Sequence, residues 1–216
     1  MSQTKIPLII FAKAPIEGKV KTRLLSECTP TQAADIAMLL LESLLAIAKQ
    51  AWPGEVILSV GLDERHPKIQ SIARRFSVAV VPQVQGDLGS KMLATFEQYQ
   101  PVAIIGADAA LVSQSSLIDA HLALYRGDNV IGPSEDGGYY LIGLQQAVAD
   151  LFTNIDWGTS SVMSQTLARA QKIGTGLTQL KAVRDIDEWS DVLFAARQLP
   201  RLQSYLSKQG LTVSDG

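Results

Sequence analysis

The sequence predicts a three-layer α/β protein whose central sheet is mixed and mostly parallel. Seven short segments are mainly apolar, and stretches with helical periodicity separate most of them. Strands that alternate with helices are typical of a parallel sheet with helices on both faces. Strands covered on both faces are continuously apolar rather than alternately apolar and polar, which is the pattern seen here.

The predicted elements follow one another in a regular order, with one interruption. Strands are predicted at residues 8–11, 56–60, 78–81, 102–105, 129–131, 139–144 and 177–183, and helices near residues 31–50, 66–76, 88–99, 114–126, 160–172 and 188–208. Val130 and Tyr139 are too close along the chain for a crossover helix between them. A locally antiparallel pairing is therefore expected at the sixth strand.

Composition favours one globular domain that spans residues 1–216. Apolar residues make up 47% of the 216 residues, charged residues make up 19%, and no repeat, low-complexity tract or long linker is present. The formal net charge of -2 provides no global field for nucleic acid or an anionic membrane, so neither is an expected partner. The single cysteine, Cys28, cannot form an intramolecular disulfide, which suits a reducing cytoplasm.

Two apolar segments resemble targeting or membrane segments. The first, near the N-terminus, contains Pro7 and Lys13, and its apolar part is too short for a signal peptide. The second, residues 33–48, contains Asp35 and Glu42 and is shorter than the roughly 20 residues that span a bilayer. We expect a buried first strand and a helix packed on the sheet.

A basic loop follows the first predicted strand. Lys13, Lys19, Lys21 and Arg23 lie within eleven residues, and Gly18 allows close approach of the backbone to a ligand. Lysine offers a point charge to phosphate and arginine offers two parallel donors, so the loop is typical of a polyphosphate site. The alternative is a solvated basic loop without a ligand.

Two aspartates are candidate metal ligands. Asp108 follows the buried strand 102–105, and Asp187 lies, with Asp185, in the acidic segment after the last predicted strand. Magnesium takes one or two carboxylates together with waters and substrate phosphates, so Asp108 alone would be a sufficient protein share, and Asp187 is a second candidate. Helix or loop capping is the alternative for both residues.

Two further acids lie in glycine-containing loops. Asp136 belongs to the segment Gly132-Pro-Ser-Glu-Asp-Gly-Gly-Tyr-Tyr, where it is predicted to contact the acceptor or the water shell of the metal. The alternative is a tight turn. Asp87 precedes a predicted helix and is expected either to cap that helix or to contact the base or sugar of a nucleotide.

Several motifs, in order, resemble one known family. They are Phe11-Ala-Lys-Ala-Pro15 with Gly18 and Lys21-Thr-Arg-Leu24, then Gln85-Gly-Asp-Leu-Gly89, Gly106-Ala-Asp108 and Gly132-Pro-Ser-Glu-Asp-Gly-Gly-Tyr-Tyr-Leu-Ile-Gly-Leu144. The chain, from about Ile6 to Asp191, thereby resembles the radical-SAM/selenodomain-associated transferase 1 family. That family looks like a branch of the nucleotide-diphospho-sugar transferase superfamily, of the glycosyltransferase A type, and is similar to phospholactate and molybdenum cofactor guanylyltransferases.

The resemblance implies roles for individual residues. Lys13, Lys21 and Arg23 match the phosphate-gripping loop, Asp108 matches the metal-binding aspartate, and Asp187 matches the late acid that completes the metal site in relatives. Two departures are evident. The family usually has Gly-Ser-Asp-Cys-Pro where this chain has Gly106-Ala-Asp-Ala-Ala110, and it commonly has Thr-Pro where this chain has Glu188-Trp189.

The leading hypothesis is metal-dependent transfer from a nucleoside triphosphate or nucleotide sugar to a small-molecule acceptor, with Mg²⁺ or Mn²⁺ as cofactor. In nucleotidyl transfer, Lys21 and Arg23 would stabilise the leaving pyrophosphate. In glycosyl transfer, Asp136 would act as base. A lone Asp108 in place of the Asp-x-Asp of metal-dependent glycosyltransferases favours nucleotidyl transfer. Ala109 and Ala110 motivate a third hypothesis, a nucleotide-binding or regulatory protein that has lost catalysis.

Overall fold

The computed structural model describes residues 5–211. Its strands are Leu8–Lys13 (β1), Val56–Gly61 (β2), Ala79–Pro82 (β3), Val102–Gly106 (β4), Val130–Pro133 (β5), Tyr139–Leu144 (β6) and Thr178–Gln179 (β7). Its α-helices are Pro30–Ala51 (α1), Pro67–Phe76 (α2), Leu88–Gln98 (α3), Gln114–Tyr125 (α4), Val162–Lys172 (α5), Trp189–Ala196 (α6) and Pro200–Lys208 (α7). Short 3-10 helices cover Thr22–Ser26 and Ala149–Phe152.

The seven strands form one mixed sheet in the order β3-β2-β1-β4-β6-β5-β7. Strands β1 to β4 are mutually parallel where they pair, with Ile9 opposite both Ile57 and Ile104. Strand β6 runs antiparallel to both of its neighbours, β4 and β5. The predicted fold class and the antiparallel sixth strand are both confirmed.

The core lies on both faces of this sheet, which explains the continuously apolar strands. In β1, Ile10 belongs to a buried cluster with Leu44, Ile69 and Leu117 from α1, α2 and α4. The adjacent Ile9 faces the opposite way, because successive strand residues alternate between faces. It packs in a second cluster whose helical members include Phe96, Met92 and Ala170 from α3 and α5. Helices therefore cover both faces of the sheet.

Helix α1 is long and apolar enough to cross a membrane by length and composition. Nine of its residues are buried within the protein, among them Leu41, Leu44 and Leu45, which pack in the same cluster as the sheet residue Ile10. Thr29 caps the helix by accepting a hydrogen bond from the Gln32 backbone, and Pro30 occupies its first turn. The predicted helix on the sheet is confirmed.

Two predicted elements differ from the structure. The strand predicted at 177–183 contracts to Thr178–Gln179 plus an isolated bridge at Val183, where the neighbouring strand β5 reaches Pro133, which has no backbone N–H to donate. The helix predicted at 188–208 divides into α6 and α7. Pro200 begins α7, since proline is tolerated in a first turn and disrupts a helix interior.

Candidate functional site

The carboxyl ends of β1 and β4 are neighbours in the sheet, and they carry the two most informative loops. β1 pairs directly with β4, so the basic loop that follows Lys13 and the turn that contains Asp108 leave the same edge of the sheet. In open α/β sheets, ligands bind at this edge. The candidate site therefore lies where the sequence predicts it.

Lys21 is the central cation of the site. Its Nζ atom lies 2.6 Å from Asp108 Oδ1 and 3.9 Å from Asp187 Oδ1, and it donates a hydrogen bond to the Ile186 carbonyl oxygen. The Lys21 side chain is only 5% exposed, whereas that of Asp108 is 50% exposed. The ammonium therefore closes the inner side of a carboxylate pair that remains open to solvent.

The backbone of Lys21 is left-handed, with φ 47° and ψ 42°. This conformation costs a residue with a Cβ about 1 kcal/mol. Lys21 immediately precedes the 3-10 helix Thr22–Ser26, and its carbonyl accepts a hydrogen bond from the Leu24 N–H. Leu24 is fully buried, so the apolar core holds the loop in the conformation that directs Lys21 toward Asp108.

Arg23 pairs with Asp187 through an Nη1 to Oδ2 distance of 2.6 Å. Both side chains are substantially exposed, at 61% and 43%, so this ion pair contributes little to stability on its own. The Arg23 guanidinium remains accessible to a ligand. The structure thus brings together Lys21, Arg23, Asp108 and Asp187, the four residues to which the sequence assigns the pyrophosphate and the metal.

Asp185 is the residue of this site to which sequence reasoning assigned no role. Its Oδ1 atom is buried and has no hydrogen-bond partner among the described residues. Burial, and then the negative charges of Asp108, Asp136 and Asp187, raise the pKa of Asp185 to about 7, against the opposing effect of Lys21. The only sequence signal was its place in the same acidic segment as Asp187.

The segment that carries Asp185 and Asp187 is fixed at both ends. Val183 N–H donates to the Pro133 carbonyl at 3.0 Å, and Ile186 N–H donates to the Asp108 carbonyl at 3.3 Å. The Asp191 carboxylate accepts from the backbone N–H of Asp187 and Glu188, and Glu188 caps α6 in a reciprocal capping box. Asp187 is therefore not the cap of that helix, and its carboxylate is free to face Arg23.

The turn around Asp108 lacks the proline and polar neighbours of the family pattern, and other contacts hold it in place. Ala107 N–H donates to the Phe11 carbonyl at 3.0 Å, which ties the turn to β1. Ala109 and Ala110 are buried in two different apolar clusters. The two alanines thus pack beneath the turn, and Asp108 alone presents a carboxylate at its surface.

Asp136 and Asp87 satisfy much of their hydrogen bonding within their own loops. Asp136 Oδ1 accepts from Ser134 Oγ at 2.5 Å and from Gly138 N–H at 3.0 Å, which is the tight-turn alternative. Asp87 caps α3 by accepting from Ser90 N–H at 2.8 Å, and its hydrogen bonds with Ser90 lower the pKa of Asp87. Asp136 nevertheless lies close enough to Asp185 to influence the charge of that residue.

Lys13 and Gly18 lie in the same loop as Lys21 but make no comparable contact. Lys13 ends β1 with an exposed side chain, and no ion pair of Lys13 is formed within residues 5–211. Gly18 has φ 71°, and a Cβ at this position would meet no atom within 4 Å. Gly18 is therefore suited to turning the loop, while nothing in the protein crowds its ligand-facing side.

A small cavity lies away from these carboxylates, between the sheet and α3. Its volume is about 40 Å³, and its walls include Ser59, Gln83 and Thr95. This space holds a few waters at most. The open edge around Asp108, rather than this cavity, is the candidate functional site.

Gly137 packs the Asp136 turn closely against the start of α5. We therefore expect an alanine at Gly137 to destabilise the protein more than an alanine at Gly158 does. A Cβ at Gly137 would lie 2.2 Å from the Ser160 carbonyl oxygen, and φ is 90°, whereas Gly158 has φ 80° with no atom within 4 Å. Gly158→Ala is expected to cost about 1 kcal/mol from backbone conformation alone. Gly137→Ala should cost roughly 2–4 kcal/mol, because a steric overlap is added. Urea unfolding measures both, and equal losses would contradict this packing.

Comparison with known proteins gives a match to one bacterial family and a likeness in fold to several solved structures. Residues 44–159 match the family described as uncharacterized protein conserved in bacteria (DUF2064). A provisionally assigned nucleotide-diphospho-sugar transferase from Desulfovibrio desulfuricans has 24% identity and a TM-score of 0.82, over 98% of this chain and 97% of the other. No curated protein matches the sequence.

Two more distant structures share the fold. A cytidylyltransferase from Leptospira borgpetersenii has 15% identity and a TM-score of 0.59, with 98% of each chain covered. The protein Rv0371c from Mycobacterium tuberculosis, in complex with manganese, has 16% identity and a TM-score of 0.52, over 91% of this chain and 99% of the other. At these identities the likeness establishes the nucleotide-diphospho-sugar transferase fold. The matched residues make up more than half of the sequence, so the chain belongs to the DUF2064 family.

Proposed function

We propose that this protein is a metal-dependent transferase that uses a nucleoside triphosphate or nucleotide sugar, with nucleotidyl transfer as the preferred reaction. The observation that carries the proposal is the meeting of Lys21 and Arg23 with Asp108 and Asp187 at one edge of the sheet. Cationic side chains suit phosphate, and carboxylates suit the cation that accompanies a polyphosphate. A cytidylyltransferase and a manganese complex among proteins of this fold support the same interpretation.

The donor atoms at the site suit Mg²⁺ or Mn²⁺. Asp108 and Asp187 supply hard carboxylate oxygens, the Lys21 ammonium stands between them as a cation, and Asp185 Oδ1 is an unsatisfied oxygen beside them. Within residues 5–211, no three acidic, histidine or cysteine side chains form a complete metal cage. Mg²⁺ does not need a complete protein cage, since it keeps several waters and binds substrate phosphates. When bound by Asp108 and Asp187, the metal would neutralise charge on the reacting phosphates.

The residues of the chain have distinct tasks in nucleotidyl transfer. An acceptor phosphate oxygen forms a bond to the α-phosphorus, and the bond from that phosphorus to the bridging oxygen breaks. Lys21 and Arg23 bind the pyrophosphate as its charge increases, and Lys13 and Gly18 bind the rest of the phosphate chain. A phosphate acceptor is already an anion, so this reaction needs no general base.

Glycosyl transfer is a second candidate because Asp136 retains a carboxylate oxygen beyond the one used in its turn. In that reaction an acceptor hydroxyl attacks the anomeric carbon, and a base must take its proton. The product that leaves separates the two reactions. Nucleotidyl transfer from a triphosphate releases pyrophosphate, whereas glycosyl transfer releases a nucleoside diphosphate.

The narrower family assignment is also part of this proposal. The ordered motifs from Phe11 to Leu144 support membership of the radical-SAM/selenodomain-associated transferase 1 family. The buried positions of Ala109 and Ala110 weigh against the third hypothesis, a protein that has lost catalysis, because these residues pack under the Asp108 turn without displacing its carboxylate.

A thermal-shift panel of nucleoside triphosphates and nucleotide sugars, with and without Mg²⁺ or Mn²⁺, tests the proposal. A ligand at a hundred times its Kd adds about 2.7 kcal/mol to the stability of the native state. For a chain of 216 residues, this corresponds to a rise in Tm of roughly 5–10 °C. We expect one donor class to give this rise only with metal. If no nucleotide shifts the transition under any metal condition, the proposal fails.

A further inference from the structure

Lys21 occupies the position that the proposed function gives to a divalent cation. Its ammonium touches Asp108, lies 3.9 Å from Asp187 and donates to the Ile186 carbonyl, which is a set of oxygen donors that would also suit a metal. The side chain is almost fully buried at 5% exposure, so this is not a mobile surface contact. An ammonium and a divalent cation repel each other strongly at such separations and cannot share these oxygens.

The charges around Lys21 explain why an internal cation is held there. Asp108, Asp136 and Asp187 all influence Asp185, so four carboxylates gather at this edge. Arg23 is directed to Asp187 from the solvent side, and Lys21 is the cation on the inner side. Without Lys21, the inner carboxylates would repel one another with no compensating charge.

Exchange requires only rotations about the bonds of the Lys21 side chain. Its four-carbon stem is intrinsically flexible, and the same residue lies in the loop that is proposed to hold phosphate. A nucleotide that arrives with a metal supplies both replacements at once. The metal binds the carboxylates in place of the ammonium, and the ammonium binds a phosphate oxygen.

We propose that Lys21 is a built-in counter-ion that a divalent metal must displace, and that its transfer from Asp108 to phosphate couples metal binding to nucleotide binding. This inference rests on the proposed function. It has two consequences: metal alone binds weakly, and metal and nucleotide each raise the affinity of the other by the same factor. Part of that coupling passes through Lys21, and the rest comes from direct contact between metal and phosphate.

Mn²⁺ binding to the full chain, followed by the electron paramagnetic resonance signal of free Mn²⁺, measures the competition directly. Lys21→Met keeps much of the apolar stem and removes the charge, so it is expected to bind Mn²⁺ alone at least about tenfold more tightly than the natural chain. Lys49→Met is the control, because Lys49 is an exposed lysine in the last turn of α1, outside the basic loop. It should bind Mn²⁺ within about twofold of the natural chain. Lys21→Arg, which keeps the charge, should not gain affinity.

The same titration with a non-reacting α,β-methylene nucleoside triphosphate measures the coupling. In the natural chain and in Lys49→Met, the analogue should raise Mn²⁺ affinity by a larger factor than in Lys21→Met, and the difference should match the tenfold gain seen without nucleotide. An unchanged Mn²⁺ affinity in Lys21→Met overturns the inference and leaves the proposed function standing. If the natural chain binds no nucleotide with Mn²⁺, the proposed function fails, and the inference fails with it.

A measurement on the natural chain covers the case in which Lys21→Met does not fold. Acetylation of lysines, quantified by mass spectrometry, should be slow at Lys21 and fast at the exposed Lys19. Saturating Mn²⁺ without nucleotide should increase the rate at Lys21 several-fold and leave Lys19 unchanged. Continued protection of Lys21 under saturating Mn²⁺ would show that the metal does not displace it.

Discussion

Replacing Asp108 by asparagine should lower the rate of nucleotidyl transfer on the order of a hundred- to a thousandfold. The substitution keeps the size of the side chain and removes the charge that is proposed to hold the metal and that lies 2.6 Å from Lys21. Charge stabilisation is the main catalytic contribution of such a site, because a phosphate acceptor needs no activation by a base. Pyrophosphate release at saturating donor measures the loss.

The fold should survive this change, which makes the result interpretable. Asp108 is half exposed, and its backbone hydrogen bond to Ile186 N–H does not involve the side chain. Asp150→Asn, which changes an exposed aspartate in the 3-10 helix Ala149–Phe152, is the control and should keep full activity. An Asp108→Asn protein that retains a tenth or more of the natural rate would exclude Asp108 from the reaction.

Much of the fold could be predicted because burial imposes a pattern on the chain. Strands such as β1 and β4 are covered on both faces, so they are apolar at nearly every position, and α1 shows its apolar character over many turns. The short link between Val130 and Tyr139 predicted the antiparallel strand. The short extent of β7 was not predictable, because it depends on pairing with β5, a strand that is distant in sequence and that ends at Pro133.

The site was predictable to the level of loops, but not to the level of contacts. Asp108 and the basic loop could be placed together because the carboxyl ends of parallel strands share an edge. The ion pair between Lys21 and Asp108 depends on the left-handed backbone of Lys21, and no local sequence motif predicts that conformation. Asp87 and Asp136 illustrate the same difficulty, since a capping or turn aspartate and a ligand-binding aspartate have the same sequence signature.

The burial of Asp185 is the clearest example of a site feature that the sequence does not predict. Asp185 and Asp187 both follow the last strand, and the resemblance to relatives pointed to Asp187. The structure exposes Asp187 beside Arg23 and encloses an oxygen of Asp185 instead. The segment between Val183 and α6 is not a regular strand, so the direction of each side chain depends on long-range hydrogen bonds such as that of Ile186 N–H to the Asp108 carbonyl.

Replacing Asp185 by asparagine should stabilise the metal-free protein at neutral and alkaline pH. The pKa of Asp185 is about 7 in the folded protein, well above the 3.8 of a free aspartate. Between these values the folded chain holds a proton that the unfolded chain has released, so stability falls as the pH rises from about 4 to about 7. By pH 8 the accumulated penalty is on the order of 4 kcal/mol. The neutral amide of the variant would escape this penalty, because it carries no charge at any of these pH values.

Urea unfolding in EDTA, from pH 4 to pH 8, measures the effect against a matched substitution. The gain in stability of Asp185→Asn over the natural chain should be small near pH 4 and should grow steadily to pH 8. Asp187→Asn, which changes a partly exposed carboxylate paired with Arg23, should retain most of the loss of stability with rising pH, because Asp187 contributes less to the raised pKa of Asp185 than burial, Asp108 and Asp136 do. If Asp185→Asn follows the pH profile of the natural chain, Asp185 is not a buried acid. If Asp185→Asn is more stable than the natural chain at pH 8, the natural carboxylate lowers the stability of the fold at that pH. Such a destabilising charge is expected of a residue that serves to bind a cation at this edge of the sheet.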